Sequence, residues 1–191
     1  MRLFVAIHLP PAETERLYRE TAALRASELP VRWVSLASLH ITLKFLGEVA
    51  ENRTAEISKR LERVAAGHAP FQLRLNGLGA FPNQRHPRVV WVGTDAPLEL
   101  LGVQAGVEAT LSELGFEREA RAWSPHLTLG RARDRARAED FAALPALAAA
   151  FAYESTARVA TIDLMQSRLQ RGGAEYTRLV AAPLGSARTG N

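Results

Sequence analysis

The chain has 191 residues, of which 47% are hydrophobic, which suits one large globular domain or two small lobes with a shared core. It contains no cysteine, which excludes a disulfide framework, a thiolate nucleophile and a thiolate zinc site. The net charge is +4, and the basic residues are arginines apart from Lys44 and Lys59, a balance that suits phosphate-bearing partners.

The first half of the chain reads as strand, helix, strand, helix and two strands. Periodicity predicts a strand over 2–9, a helix from the Pro10-Pro11 pair to about residue 29, and extended chain over 31–46 that ends at Gly47. A helix closed by Gly67 follows, then strands over 71–78 and 88–94 joined by a loop over 80–87. The opening strand has too few apolar residues for a signal peptide or a membrane span, and no later stretch is long enough, so we expect no membrane role and a cytoplasmic location.

The second half repeats this order. The pattern predicts a helix over 97–114, a strand over 121–129, a helix over 139–150, and closing strands over 153–167 and 176–181. In each half a helix ends 11 or 12 residues before the same tetrapeptide, His-x-Thr-Leu. We therefore predict an α+β fold of two pseudo-symmetric lobes, each an antiparallel sheet flanked by helices, with the active site in the cleft between them. Residues 1–191 are expected to form this single bilobal domain by internal duplication.

The two tetrapeptides, His40 to Leu43 and His126 to Leu129, are the most informative features of the sequence. Side chains alternate along a strand, so each histidine shares a face with the threonine two residues later, while the apolar residues face the core. Two histidines that approach one space from opposite sides can act as acid and base, since imidazole titrates near neutrality. The hydroxyls of Thr42 and Thr128 are then expected to bind phosphate oxygens.

Other interpretations of these histidines are weaker. If these were ordinary strand histidines, two His-x-Thr-Leu tetrapeptides would occur together by chance in only roughly one in a few thousand such chains, given typical residue frequencies. Metal binding lacks a His-x-x-x-His spacing, and neither a Gly-x-Ser-x-Gly elbow nor a Walker-type phosphate loop occurs. We therefore expect no metal, no ATP and no other cofactor.

Longer stretches around the motifs carry a family resemblance. Leu39-His40-Ile41-Thr42-Leu43-Lys44-Phe45-Leu46-Gly47, Ser124-Pro125-His126-Leu127-Thr128-Leu129-Gly130-Arg131, and Ser167-x-Leu169 followed by Gly173 and Tyr176 resemble the two-histidine (2H) phosphoesterase superfamily. The nearest group is the RNA 2′,3′-cyclic phosphodiesterase family, also called the bacterial and archaeal 2′-5′ RNA ligase family. The resemblance implies metal-independent hydrolysis of an RNA-terminal 2′,3′-cyclic phosphate to a 2′-phosphate, with ATP-independent 2′-5′ ligation in some members.

The resemblance also implies roles for residues. His40 would be the proton donor, His126 the proton acceptor, and Arg131 a phosphate-binding group. Strand alternation alone turns Arg131 away from His126 unless the strand ends or bulges at Gly130. Phe45 could stack on a base, although its alternation matches Leu43 and favours core packing equally.

The remaining candidates lie outside the motifs. His86, in the loop over 81–88, is a candidate RNA contact or a solvated turn residue, and the arginines over 131–137 are a candidate phosphate track or an exposed run. Trp33 and Tyr176 are expected in the core, and no role is assigned to His8 or His68.

The expected partner is RNA with 2′,3′-cyclic phosphate ends, such as tRNA fragments. The protein itself is expected to be a monomer with no obligate protein partner. Two alternatives remain open. One is an enzyme that opens a small cyclic phosphate such as ADP-ribose cyclic phosphate, and the other is a noncatalytic RNA-binding module.

Overall fold

The computed structural model describes residues 1–170 and 173–185. Its strands are β1 (Arg2–Ile7), β2 (Val31–Trp33), β3 (Ile41–Glu48), β4 (Phe71–Phe81), β5 (Val89–Thr94), β6 (His126–Ala132), β7 (Glu154–Val159), β8 (Thr161–Gln170) and β9 (Gly173–Pro183). Its helices are α1 (Pro11–Glu20), α2 (Ala22–Ala26), α3 (Thr54–Ala66), α4 (Leu98–Ser112) and α5 (Leu144–Ala150), with short 3-10 turns at Leu36–Ser38, Glu51–Arg53 and Ala138–Phe141.

The strands form two antiparallel half-sheets that meet at one narrow seam. Lobe 1 is β3-β1-β8-β9, and lobe 2 is β7-β4-β5-β6 with β2 added beside β6. Within the described residues, β3 and β6 pair at a single position, where Ile41 lies opposite Leu127. Both of these side chains are fully buried. The sheet is therefore continuous at the seam but free to curl around it.

Helices cover the faces of the sheet that carry the apolar side chains. Helices α3 and α4 pack against each other, α3 against β8 and β9, and α4 against β3 and β4. Helix α1 reaches lobe 2, where Arg16 donates to Ser155 (3.4 Å). The fully buried side chains that this packing removes from water include Ile57, Leu61, Leu73, Leu100, Leu111 and Leu164. In the part of the chain described, no helix is long and apolar enough to cross a membrane.

The fold class is as predicted, but five predicted elements are bounded or divided differently in the structure. The predicted extended chain over 31–46 is β2 and β3 with a 3-10 turn between them, and the predicted helix over 139–150 is a 3-10 turn followed by α5. The predicted strand over 153–167 is two strands, β7 in lobe 2 and β8 in lobe 1, which are separated at Ala160. Lobe 1 is thus completed by the C-terminal strands, so the lobes do not coincide with the two halves of the chain. The predicted strand over 121–129 begins only at His126, after Pro125, whose nitrogen cannot donate to a strand ladder. The predicted first helix is interrupted at Thr21.

Candidate active site

The two His-x-Thr segments lie side by side at the seam between the lobes. His40 directly precedes β3, and His126 is the first residue of β6. Because Ile41 pairs with Leu127 in an antiparallel ladder, continuing the register sets His40 opposite Thr128 and Thr42 opposite His126. Residues directly opposite each other share a face, so the four polar side chains form one group on the side away from the buried Ile41 and Leu127.

Each histidine is held by the same local hydrogen bond. His40 Nδ1 lies 2.8 Å from the carbonyl oxygen of Ser38, and His126 Nδ1 lies 2.7 Å from that of Ser124. A carbonyl oxygen can only accept, so Nδ1 carries the proton in both rings and Nε2 is the free nitrogen. These anchors were not predicted, although a serine two residues before each histidine extends the repeat to Ser-x-His-x-Thr-Leu.

Burial keeps both imidazoles neutral at pH 7. The pKa of His40 is lowered from 6.5 to about 4, mainly by desolvation and further by the charges of His8, Arg131 and His126, against the opposing effect of the Ser38 hydrogen bond. Desolvation likewise lowers the pKa of His126, opposed by its Ser124 hydrogen bond and assisted by the charge of Arg131. Two neutral imidazoles with free Nε2 atoms can accept protons, and one can donate only after a bound anion has raised its pKa.

A bulge in β6 decides where Arg131 points. Trp91 pairs with Thr128 but Val90 pairs with Gly130, so Leu129 is an extra residue in β6. Leu129 and Gly130 are consequently both buried, and Arg131 is exposed on the face of Thr128. The electrostatic effect of Arg131 on both histidines agrees with this position. The strand therefore bulges next to Gly130, which is what strand alternation required for Arg131 to face the same side as His126.

The same irregularity in β3 decides where Phe45 points. Ala6 pairs with Thr42 but Val5 pairs with Lys44, so Leu43 is extra, and Phe45 shares the face of Thr42. Phe45 is 65% exposed, so its expected alternation with Leu43 is wrong and the core-packing alternative is excluded, while stacking on a base stays a prediction. Lys44 turns inward instead, where it is 5% exposed. Lys44 Nζ donates there to Glu108 (2.7 Å) and to the Glu117 carbonyl oxygen (2.6 Å).

Aromatic rings line both sides of the histidine pair. On lobe 1, Phe4 and Tyr176 lie 4.9 Å and 5.1 Å from the His40 ring, with Tyr176 edge-on. On lobe 2, Phe81 lies edge-on to His126 at 4.9 Å, and Trp91 is 6.2 Å away. Tyr176 is therefore a half-buried residue of the site rather than the core residue expected. Trp33 does pack against the core.

His86 and His8 lie at opposite ends of this surface. His86 is exposed and, with Trp91, lines a groove of about 940 Å³ on lobe 2, together with Leu78, Gly79, Ala80, Asn83, Gln84, Arg85 and Pro145. His8, to which the sequence assigned no role, lies on lobe 1 with its ring 5.9 Å from that of His40. Over residues 1–170 and 173–185, no three His, Asp or Glu side chains are grouped so as to hold a metal ion.

Comparison with known proteins gives the family. The model of the family described as LigT like Phosphoesterase matches residues 7–91 and again 92–176. An RNA 2′,3′-cyclic phosphodiesterase of Methanothermobacter thermautotrophicus is 31% identical over 177 residues, which are 93% of this chain and 95% of the relative.

Solved structures agree with that assignment. A protein of Thermus thermophilus superposes with a TM-score of 0.75 at 27% identity, over 98% of this chain and all of the other. The structure of E. coli LigT complexed with 3′-AMP has a TM-score of 0.74 at 27% identity, over 96% and 97% of the two chains. By fold and sequence this chain is a phosphoesterase. It belongs to the LigT-like phosphoesterase family, which confirms the resemblance carried by its two motifs.

Proposed function

We propose that this protein hydrolyses the 2′,3′-cyclic phosphate at the end of an RNA to a 2′-phosphate, with His40 and His126 as an acid–base pair. The observation that carries the proposal is the pair of imidazoles on one face, each with Nδ1 bonded to a serine carbonyl and Nε2 free. The relatives named RNA 2′,3′-cyclic phosphodiesterase support the substrate class. The twofold match of the family model supports a single domain built by duplication.

His126 is the base of the proposed reaction. Its lowered pKa keeps it neutral near pH 7, so Nε2 can accept a proton from a water molecule. The oxygen of that water bonds to phosphorus as the bond from phosphorus to O3′ breaks. His40, as an imidazolium, donates its Nε2 proton to the departing O3′. The acid and base roles follow the family resemblance, because the near-symmetry of the two motifs does not distinguish them.

Substrate binding must protonate His40 in this scheme. In the free protein its pKa is about 4, so it is neutral at pH 7, and the negative charge of a bound phosphodiester raises that pKa. We expect net proton uptake when a cyclic-phosphate oligonucleotide binds at pH 7. Calorimetry in two buffers of different ionisation enthalpy measures it, and loss of the uptake in His40→Asn assigns the proton to His40.

The phosphate is held by groups from both lobes. Thr42 and Thr128 present hydroxyls beside the opposite histidine, and the bulge turns Arg131 toward the same face. Hydroxyl and guanidinium donors stabilise the charge that builds on the nonbridging oxygens in the transition state. On lobe 1 the exposed Phe45 ring is proposed to stack on the terminal base, because a large apolar side chain beside the site gains by covering a base.

The test is an oligonucleotide that ends in 2′,3′-cyclic phosphate, supplied with excess EDTA and no ATP. We expect a 2′-phosphate product, and a loss of about 10²–10⁴-fold in kcat for His40→Ala and for His126→Ala, the usual contribution of one acid or base. His68→Ala, a histidine assigned no role, should match the wild type. Turnover by either cleft variant at the wild-type rate would overturn the mechanism, and preference for ADP-ribose cyclic phosphate over RNA would overturn the substrate.

The groove beside His126 favours 2′-5′ ligation as a second activity. A water molecule needs about 30 Å³, whereas this groove measures about 940 Å³ and begins at Trp91, close to the proposed base. An RNA 5′-hydroxyl bound there would replace water as the attacking group, with Arg85 and His86 available to its phosphates. The cyclic phosphate itself supplies the leaving oxygen, so ATP is not required. A 5′-hydroxyl oligonucleotide added to the hydrolysis assay should give a 2′-5′ linked product, which Arg85→Ala should reduce without slowing hydrolysis.

A further inference from the structure

His8 occupies a defined place beside the proposed acid. The ladder between β1 and β3 ends with Ile7 opposite Ile41, so the next residues along it, His8 and His40, face each other on the same side. Their rings are 5.9 Å apart. Because β1 lies on the far side of β3 from β6, His8 flanks His40 on the lobe 1 side and not on the His126 side. Its side chain is 22% exposed, on the face that it shares with His40.

A buried carboxylate fixes the His8 ring. Asp163 on β8 is 0% exposed, and its Oδ2 lies 2.7 Å from His8 Nδ1 and 3.5 Å from Arg178. Its other oxygen, Oδ1, has no hydrogen-bond partner among the described residues. A carboxylate is costly to bury, and this one orients a single imidazole so that Nδ1 is occupied and Nε2 is left free.

Among the described residues of lobe 2, glycines occupy the positions that correspond to His8 and Asp163. His126 of lobe 2 has Gly93 opposite it on β5, the place that His8 has beside His40 on lobe 1. One strand further out, Gly79 lies opposite Trp91, the place that Asp163 has opposite Ala6. The ring of Trp91 covers Gly79 so closely that a Cβ there would lie 2.2 Å from it. At these two positions the sides of the cleft therefore differ in chemistry, with a titratable pair beside His40 and glycines beside His126.

We propose that His8, held by Asp163, is a nucleotide-binding residue: its Nε2 accepts a hydrogen bond from the 3′-hydroxyl that ring opening frees on the terminal sugar, rather than contacting the reacting phosphate. This inference rests on the proposed function, which sets the departing O3′, and with it the ribose, on the His40 side. His8 lies one strand beyond His40 on that side, and the rings of Phe4 and Tyr176 contact His40. With Nδ1–H donated to Asp163, Nε2 is an acceptor, and the 3′-hydroxyl that forms from the departing O3′ can donate to it.

Binding measurements separate a sugar contact from a phosphate contact without requiring turnover. The probes are adenosine 2′-monophosphate and inorganic phosphate, titrated by calorimetry into the wild type, His8→Asn, His8→Gln and the control His68→Asn. Asparagine keeps an amide near the Nδ1 position and removes Nε2, whereas the longer glutamine reaches toward the Nε2 position. We expect His8→Asn to weaken the nucleotide about tenfold, the effect of losing one hydrogen bond, and to leave phosphate within twofold. Glutamine should recover part of the loss, and His68→Asn should change neither affinity.

Equal weakening of both probes would overturn the proposal, since His8 would then serve the phosphate site or the fold. Unchanged binding of the nucleotide would overturn it as well. If His8→Asn does not fold, the same comparison is made with His8→Gln, for which a loss confined to the nucleotide supports the proposal. If the variants show the expected binding pattern but the wild type does not hydrolyse cyclic-phosphate RNA, the proposed function is refuted and the assignment of His8 as a nucleotide-binding residue stands.

Discussion

Burial of His40 should make the protein acid-sensitive, and removing this imidazole should remove that sensitivity. The perturbation is His40→Asn, whose amide can still donate to the Ser38 carbonyl oxygen but cannot titrate. Well above pH 6.5 the imidazole is neutral in both the folded and the unfolded chain. As the pH falls from 6.5 toward 4, the unfolded chain binds a proton that the folded protein excludes, so the free energy of unfolding decreases.

The magnitude follows from the shift in pKa. A fall in the pKa of this half-buried group from 6.5 to about 4 corresponds to about 3 kcal/mol, since each pH unit of displacement is worth about 1.4 kcal/mol. Between pH 7 and pH 4 the wild type should therefore lose about 3 kcal/mol more stability than His40→Asn. His40→Asn, although inactive, should therefore keep a larger part of its pH 7 stability at pH 4 than the wild type does.

Urea unfolding followed by circular dichroism at pH 7, 6, 5 and 4 measures the difference. His126→Asn is the matched control, and its effect should have the same sign but be smaller, because His126 is less buried. Parallel loss of stability in the wild type and His40→Asn would refute the reasoning, because it would mean that folding does not exclude the proton from His40.

Three further predictions test the site and its support. Gly130→Ala should lower turnover of the cyclic-phosphate oligonucleotide nearly as much as Arg131→Ala does. A Cβ at Gly130 would lie 2.4 Å from Val31 and 3.0 Å from a backbone oxygen, and would displace the bulge. Turnover like the wild type would contradict the role of the bulge. Lys44→Met should destabilise the fold by about 3 kcal/mol by leaving Glu108 buried without its partner. The double change with Glu108→Leu should recover most of that loss in urea unfolding, and no recovery would count against the buried pair. Dialysis against EDTA should leave the rate unchanged, and restoration of a lost rate by zinc or magnesium would show that the proposed chemistry is incomplete.

The sequence by itself determined the paired motifs and which of their side chains face outward. Alternation along a strand is a local property of the chain, so His40 and Thr42 could be separated from the core residues Ile41 and Leu43 without a structure. The order of helices and strands also predicted the α+β class and a cleft between two lobes. Ser38 and Ser124 stand out in the sequence only as a repeated residue. Their role in holding the histidines could not be predicted, because it is their backbone carbonyl oxygens that accept the hydrogen bonds.

The tertiary structure decided what depends on partners distant in the chain. The bulges that turn Phe45 and Arg131 toward the cleft exist only relative to β1 and β5, so strand alternation alone gave the wrong direction. His8 and Asp163 are 155 residues apart and meet because β8 crosses back from lobe 2 to lie beside β1. No local pattern encodes that crossing, which is why His8 looked ordinary in the sequence and lies beside His40 in the fold.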